Sequence, residues 1–181
     1  MGGPKGDQMP SGQPGWSRDP EDLLPDVQVI HASWVQACQA RGVQVLTYCT
    51  WRSAVAQAAL YAIGRTQPGK DARGRSGFGR GFYVTMAQPW ESEHQYRMAW
   101  DAVPLLGGKP DWSYADLDRD GTPDERHWMV MAEEADRLGI GWAGRWERFR
   151  EYVHWSHSAG LDRSTLRAMA LSFGQDRGQV A

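Results

Sequence analysis

From Asp22 onward, apolar side chains recur at spacings of three and four: Leu23, Val27, Ile30, Trp34, Val35 and Cys38. That period predicts a helix with one buried face, closed by the stop signal at Gly42. Residues 43–48 then read as a strand, and residues 53–63 as a second helix with Gly64 as its C-cap. The stretch 68–81 mixes glycines with basic residues and is expected to be a flexible surface loop, placed to lie over a cleft. Residues 82–85 and 97–103 look strand-like, and 107–124 is turn-rich. A third helix is predicted over 123–138, carrying Trp128, Val130, Met131, Ala135 and Leu138. Beyond it, Gly139, Gly141 and Gly144 stand among tryptophans, followed by the segment around His154 and an amphipathic helix near the C-terminus. Helices interleaved with short strands indicate an α+β domain.

Residues 1–21 are rich in Gly, Pro, Ser and Gln with almost no apolar content, which cannot offset the entropy of ordering, so a flexible tail is expected. The main folded domain is placed at 22–160 and a C-terminal helix or tail at 161–181. At 181 residues the chain suits one domain with a real core, and 41% hydrophobic with 23% charged residues is the balance of a globule. A formal net charge of −2 supplies no basic field for nucleic acid, so that partner class is excluded. No apolar run approaches the roughly 20 residues that span a bilayer, and no membrane partner is expected. The N-terminus lacks the basic and apolar regions of a signal peptide, so synthesis in the cytoplasm is expected. The two cysteines, Cys38 and Cys49, are too few for a disulfide framework and are read as reduced and structural. Most of the ten tryptophans are read as core.

The candidate chemistry lies in two groups. A catalytic zinc takes three protein ligands from His, Asp, Glu or Cys and keeps a fourth position open. His94 and Asp101 stand seven residues apart across a turn into a strand, while Glu151 and His154 follow the Gly- and Trp-rich run. A carboxylate three residues before an imidazole would face the wrong side of a regular strand, so Glu151 is expected on the loop entering it. Each pair alone has an ordinary reading, a surface hydrogen-bond pair or a solvated Glu beside a half-buried His. The H-E-x-x-H signature of other zinc proteases is absent. His31, His127 and His157 have no matching carboxylate and are left as surface or supporting residues.

Taken in order, the groups resemble the zinc D-alanyl-D-alanine carboxypeptidase and L-alanyl-D-glutamate peptidase family, which includes VanX-type dipeptidases and many phage endolysins. The likeness runs over residues 23–157. Ser92, His94, Ala99 and Asp101 match the motif S-x-H-x-x-G-x-A-x-D, with Arg97 where the family usually has Gly. Since Arg lacks glycine's backbone freedom, a different local turn is expected there. The second motif is matched over 141–154, with Val153 replacing Pro, and Thr50, Trp51, Arg52, Ser53 and Gln57 resemble the block around the family's substrate-binding arginine.

The resemblance implies a hedgehog/DD-peptidase-like fold, a small domain whose short, mainly antiparallel sheet is packed by helices. It also implies Zn2+ held by His94, Asp101 and His154, with Glu151 as general base, Arg52 on the oxyanion or a substrate carboxylate, and Ser92 on substrate or capping a turn. The implied substrate is a peptidoglycan stem peptide and the implied state a monomer. The leading reading is an endolysin-like L-alanyl-D-glutamate endopeptidase acting on the wall after release through a holin. The alternatives are a D-alanyl-D-alanine dipeptidase or carboxypeptidase, or a wall-binding module without catalysis. Separately, Asp116, Asp118, Asp120 and Gly121 copy the first half of an EF-hand loop, with Thr122 and Asp124 as further oxygen donors, so a Ca2+ site is expected there.

Overall fold

The computed structural model describes residues 15–71, 73–112, 114, 125–158, 160–162, 164, 165 and 168. Its strands in chain order are β1 (Trp16–Ser17), β2 (Gln44–Cys49), β3 (Trp51–Arg52), β4 (Gly69–Lys70), β5 (Ser76–Gly77), β6 (Ala99–Leu106), β7 (Lys109–Pro110), β8 (Gly141–Trp142) and β9 (His154–Ser156). The helices are α1 (Pro25–Ala40), α2 (Ala54–Ala62) and α3 (Arg126–Arg137). The main sheet runs β2-β6-β9-β8, with β7 paired to β6, and all of its pairings are antiparallel. This is the α+β architecture the alternating pattern implied.

α1 starts on a proline, whose missing N–H costs nothing in the first turn, and stops at Gly42, where φ is 80°. Its buried face is Val27, His31, Trp34 and Cys38, which packs with Trp128, Met131 and Ala135 of α3 against Trp100, Ala102, Trp142 and Trp155 of the sheet. Trp34, Trp100, Trp128 and Trp155 are fully buried. Trp34 donates its indole N–H to the Met131 carbonyl at 3.0 Å, and Trp155 donates to the Ala102 carbonyl at 3.3 Å. The tryptophans thus serve chiefly as core, and both cysteines are free thiols in buried positions.

His31 sits on that core face, edge-on to Trp100 at 5.2 Å, with Nε2 2.9 Å from Thr47 Oγ1. Burial lowers its pKa from 6.5 to about 4. The unfolded chain takes up this proton near pH 6.5 and the folded chain only near 4, so stability falls as pH drops through that window. We expect a loss of about 2 kcal/mol from this group between pH 7 and pH 5. Denaturant unfolding at the two pH values checks it: His31→Gln should lose correspondingly less than wild type, and an equal loss in both would refute the assignment.

Four expectations are corrected. Within the expected tail, the chain from Gly15 is folded: Trp16 pairs with Arg52 across β1 and β3, its ring lies 4.4 Å from the Arg52 guanidinium carbon, and Thr50 Oγ1 donates to the Asp19 carbonyl at 2.8 Å. Backbone pairing and a buried cation supply what composition alone could not. Residues 82–85 are not a strand. A 3-10 turn, Arg80–Phe82, comes first and the chain then runs irregularly. The segment 68–81 contains the β4–β5 hairpin, which closes around Phe82. A side chain at Gly69 would run into the Phe82 carbonyl and one at Gly77 into its ring, so these glycines are there for close approach.

Arg97 is the fourth case. It ends a 3-10 turn, Glu93–Tyr96, in the left-handed conformation with φ 62° and ψ 31°, the geometry that Gly would supply easily. The turn that a non-glycine residue was expected to alter is formed. Its side chain offsets the strain: Nη1 donates to the Asp22 carbonyl at 3.1 Å and lies 3.4 Å from Asp22 Oδ1, and the guanidinium carbon is 5.6 Å from the Trp51 ring. Arg97→Ala keeps the strain and loses these contacts, so we expect it to cost about 1 kcal/mol, with Arg97→Gly closer to neutral. Thermal melts of the two variants should rank in that order.

Candidate active site

The sheet register assembles the site. Along β6 successive side chains alternate faces, and Trp100 packs against Trp34 at 5.7 Å in the core, so Asp101 projects from the opposite face. Asp101 is paired with His154 on β9 and with Cys49 on β2. A bulge between Thr47 and Cys49 passes over Tyr48 and brings Cys49 opposite Asp101. A thiol, a carboxylate and an imidazole therefore stand in a row across three strands. His94 arrives from the 3-10 turn leading into β6.

Three donor atoms converge. His94 Nε2 is 3.1 Å from Asp101 Oδ1 and 3.1 Å from His154 Nδ1, and His154 Nδ1 is 3.3 Å from Asp101 Oδ1. Zinc bonds of about 2.0–2.2 Å at tetrahedral angles put ligand atoms roughly 3.3 Å apart, so this near-equilateral triangle fits a zinc ion in size and in donor type. His94 is 1% exposed, Asp101 4% and His154 5%, so these polar groups are out of water and need one another. Burial lowers His94 to about 4. Burial also opposes charge on His154, but its hydrogen bonds to Asp101 and Glu93 outweigh that and push it up to about 10. Asp101 is held well below the carboxylate range: burial alone would raise it, and His94, His154 and Arg52 win.

Glu151 lies in the turn before β9, where its carbonyl accepts from His154 N at 3.0 Å and its N–H donates to the Ala143 carbonyl at 3.2 Å. Burial raises its carboxyl above the usual range, against the opposing pull of His154, with Asp101 adding to the rise and Arg52 reducing it. Val153 leaves the ladder intact: its carbonyl accepts from Ala102 N at 2.9 Å, as a proline carbonyl would. Arg52, 5% exposed, is committed to the site wall. Its Nη2 donates to Asp101 Oδ2 at 3.1 Å and reaches Cys49 Sγ at 3.5 Å, its Nη1 donates to Gln57 Oε1 at 2.9 Å, and its buried Nε has no hydrogen-bond partner among the described residues. Ser92 takes the N-cap position of the His94 turn without a side-chain capping bond.

His94, Asp101, His154, Glu151, Arg52 and Ser92 all line one open cleft of about 1240 Å³. Asp116, Asp118, Asp120, Thr122 and Asp124 lie outside the described residues. Two cleft residues, Glu93 and Trp146, and one buried neighbour of His94, Cys49, were not read as site residues from the sequence. Glu93 faces His154 Nε2 at 3.5 Å. Cys49, within metal-binding reach of His94 and Asp101, has its Sγ 3.6 Å from His94 Nδ1, the nitrogen turned away from the triangle, and burial pushes its thiol up to about 12. Trp146, 47% exposed, holds its ring 5.7 Å from that of His154. Glu93 adjoins His94 in sequence, which is a usable signal, because metal-binding histidines commonly lean on a carboxylate. The bulge that delivers Cys49 has no sequence signature.

Residues 85–157 match a family model of the M15 peptidases described as D-alanyl-D-alanine carboxypeptidase. The chain is also 32% identical over 137 residues to peptidoglycan L-alanyl-D-glutamate endopeptidase CwlK of Bacillus subtilis, covering 75% of this chain and 73% of that protein. The chain belongs to the M15 peptidase family. The matched family segment contains the three converging donors and Glu151. A solved structure, the L-Ala D-Glu endopeptidase ChiX of Serratia marcescens, is similar with a TM-score of 0.46 and 15% identity over 76% of this chain and 81% of that one. As an M15 peptidase the chain is a hydrolase, and among its described residues no helix is long and apolar enough to cross a membrane.

Proposed function

We propose that this M15 peptidase is zinc-dependent and cleaves peptidoglycan stem peptides at the L-alanyl-D-glutamate bond. The observation that carries the metal reading is the triangle of His94 Nε2, Asp101 Oδ1 and His154 Nδ1, with edges of 3.1, 3.1 and 3.3 Å, beside the half-buried Glu151 carboxylate. Those three residues would hold zinc. Zinc there supplies Lewis acidity, acidifying water toward neutral pH and polarising the scissile carbonyl. Glu151 takes the proton of the attacking water and returns it to the leaving amine, a task suited to a carboxyl raised by burial. Arg52 holds Asp101 in its ligating orientation, and its guanidinium charge favours the developing oxyanion. Ser92 and Trp146 form walls against which the peptide lies.

The choice of bond is supported by the likeness to CwlK, which spans three quarters of the chain. The family description favours a second reading, release of terminal D-alanine. Digestion of purified peptidoglycan followed by mass spectrometry separates them. The first reading expects new N-terminal D-glutamate, and free D-alanine as the main product would replace it with the second. Wall binding without any hydrolysis would reject both.

A further inference from the structure

At the triangle, each ligating side chain has its other polar atom engaged. Asp101 Oδ2 accepts from Arg52, His94 Nδ1 faces the Cys49 thiol, and His154 Nε2 faces Glu93 Oε2 at 3.5 Å. The third contact differs from the others in its origin. Glu93 directly precedes His94 in the same 3-10 turn, yet its carboxylate reaches across to β9, where it contacts His154 and hydrogen-bonds the Ser156 side chain two residues further on. One carboxylate thereby ties the turn that presents one ligand to the strand that presents another. The reaction outlined above does not use it.

An imidazole can carry its proton on either nitrogen, and the nitrogen without it is the one able to ligate. Resting on the zinc reading of this site, we propose that Glu93 is a positioning residue of the metal centre, its carboxylate accepting the Nε2–H of His154 and so keeping Nδ1 as the lone-pair nitrogen beside Asp101 and His94. Without this acceptor the proton is free to settle on Nδ1, and the ring loses the contact that sets its rotation. The turn bearing His94 also loses its tether to β9. The Glu93 side chain is 33% exposed, so little of the core depends on it. A metal-directed role and a packing role therefore predict different outcomes.

The test is zinc affinity, measured by competition with a chromophoric chelator at constant pH, for wild type, Glu93→Gln and Glu93→Ala. The visible spectrum of the cobalt(II)-substituted proteins gives a second readout. Glu93→Ala should bind zinc about 10–100-fold more weakly and alter the cobalt spectrum. Glu93→Gln, whose amide oxygen still accepts the Nε2–H, should fall between it and wild type. Thermal unfolding of the zinc-free proteins should be nearly the same for all three. Wild-type affinity in both variants, or an affinity loss that merely tracks unfolding of the zinc-free protein, would overturn the inference. Failure of the zinc reading itself looks different: wild type would then bind zinc no more tightly than His154→Ala.

Discussion

Glu151→Gln is expected to lower kcat/KM on peptidoglycan by roughly 10²–10⁴-fold while leaving zinc bound. Glutamine keeps the shape and the backbone bonds to Ala143 and His154, so the turn before β9 should persist. What it loses is a carboxylate able to take a proton. The effect should be large because burial raises this carboxyl, making it a stronger base than an ordinary surface glutamate. Metal analysis alongside the kinetics decides the case. Loss of zinc in step with activity would make Glu151 a ligand instead of a base, and undiminished turnover would remove it from the mechanism.

Asp101→Ala should be the most damaging single change, because it removes a proposed zinc ligand and uncouples a buried charge cluster together. Asp101 accepts from Arg52 at 3.1 Å and faces both His94 and His154, all of them 5% exposed or less. Alanine leaves the buried Arg52 guanidinium without its carboxylate and removes the partner that raises the pKa of His154. Removing one partner of a buried ion pair costs about 3–5 kcal/mol. We therefore expect that loss in the denaturant-unfolding free energy of the zinc-free protein, together with loss of zinc binding. His154→Ala should abolish zinc binding with a smaller loss of zinc-free stability, since Arg52 and Asp101 remain paired. Equal destabilisation by the two variants would contradict this view of Asp101 as the hub.

Much of the scaffold was legible along the chain. The three-and-four spacing from Leu23 to Cys38 became α1, and the stretch beginning near Val43 became β2. Both signals are local, because they depend on which side of one element is dry. The errors arose where a distant partner overrides composition. Trp16 and Ser17 fold because β3 offers them a ladder, and Gly69 and Gly77 are close-approach positions because Phe82 is there to be approached. Arg97 shows the same effect at one residue, since the left-handed strain it carries is matched by Asp22, 75 positions away.

For the proposed site, the sequence supplied the candidates: the types His94, Asp101, Glu151 and His154, their order, and the placement of Glu151 on a loop ahead of a strand. Only the tertiary structure decided how they meet. The cross-strand register sets Asp101 opposite His154, and the bulge in β2 adds Cys49 to the row. The same fold turns Arg52 toward Asp101 and lays Glu93 against His154. Ligand identity is a property of single side chains and can be read from spacing and motif. Distances of 3.1–3.6 Å between groups 45–61 residues apart depend on strand pairing and burial, which no local pattern encodes.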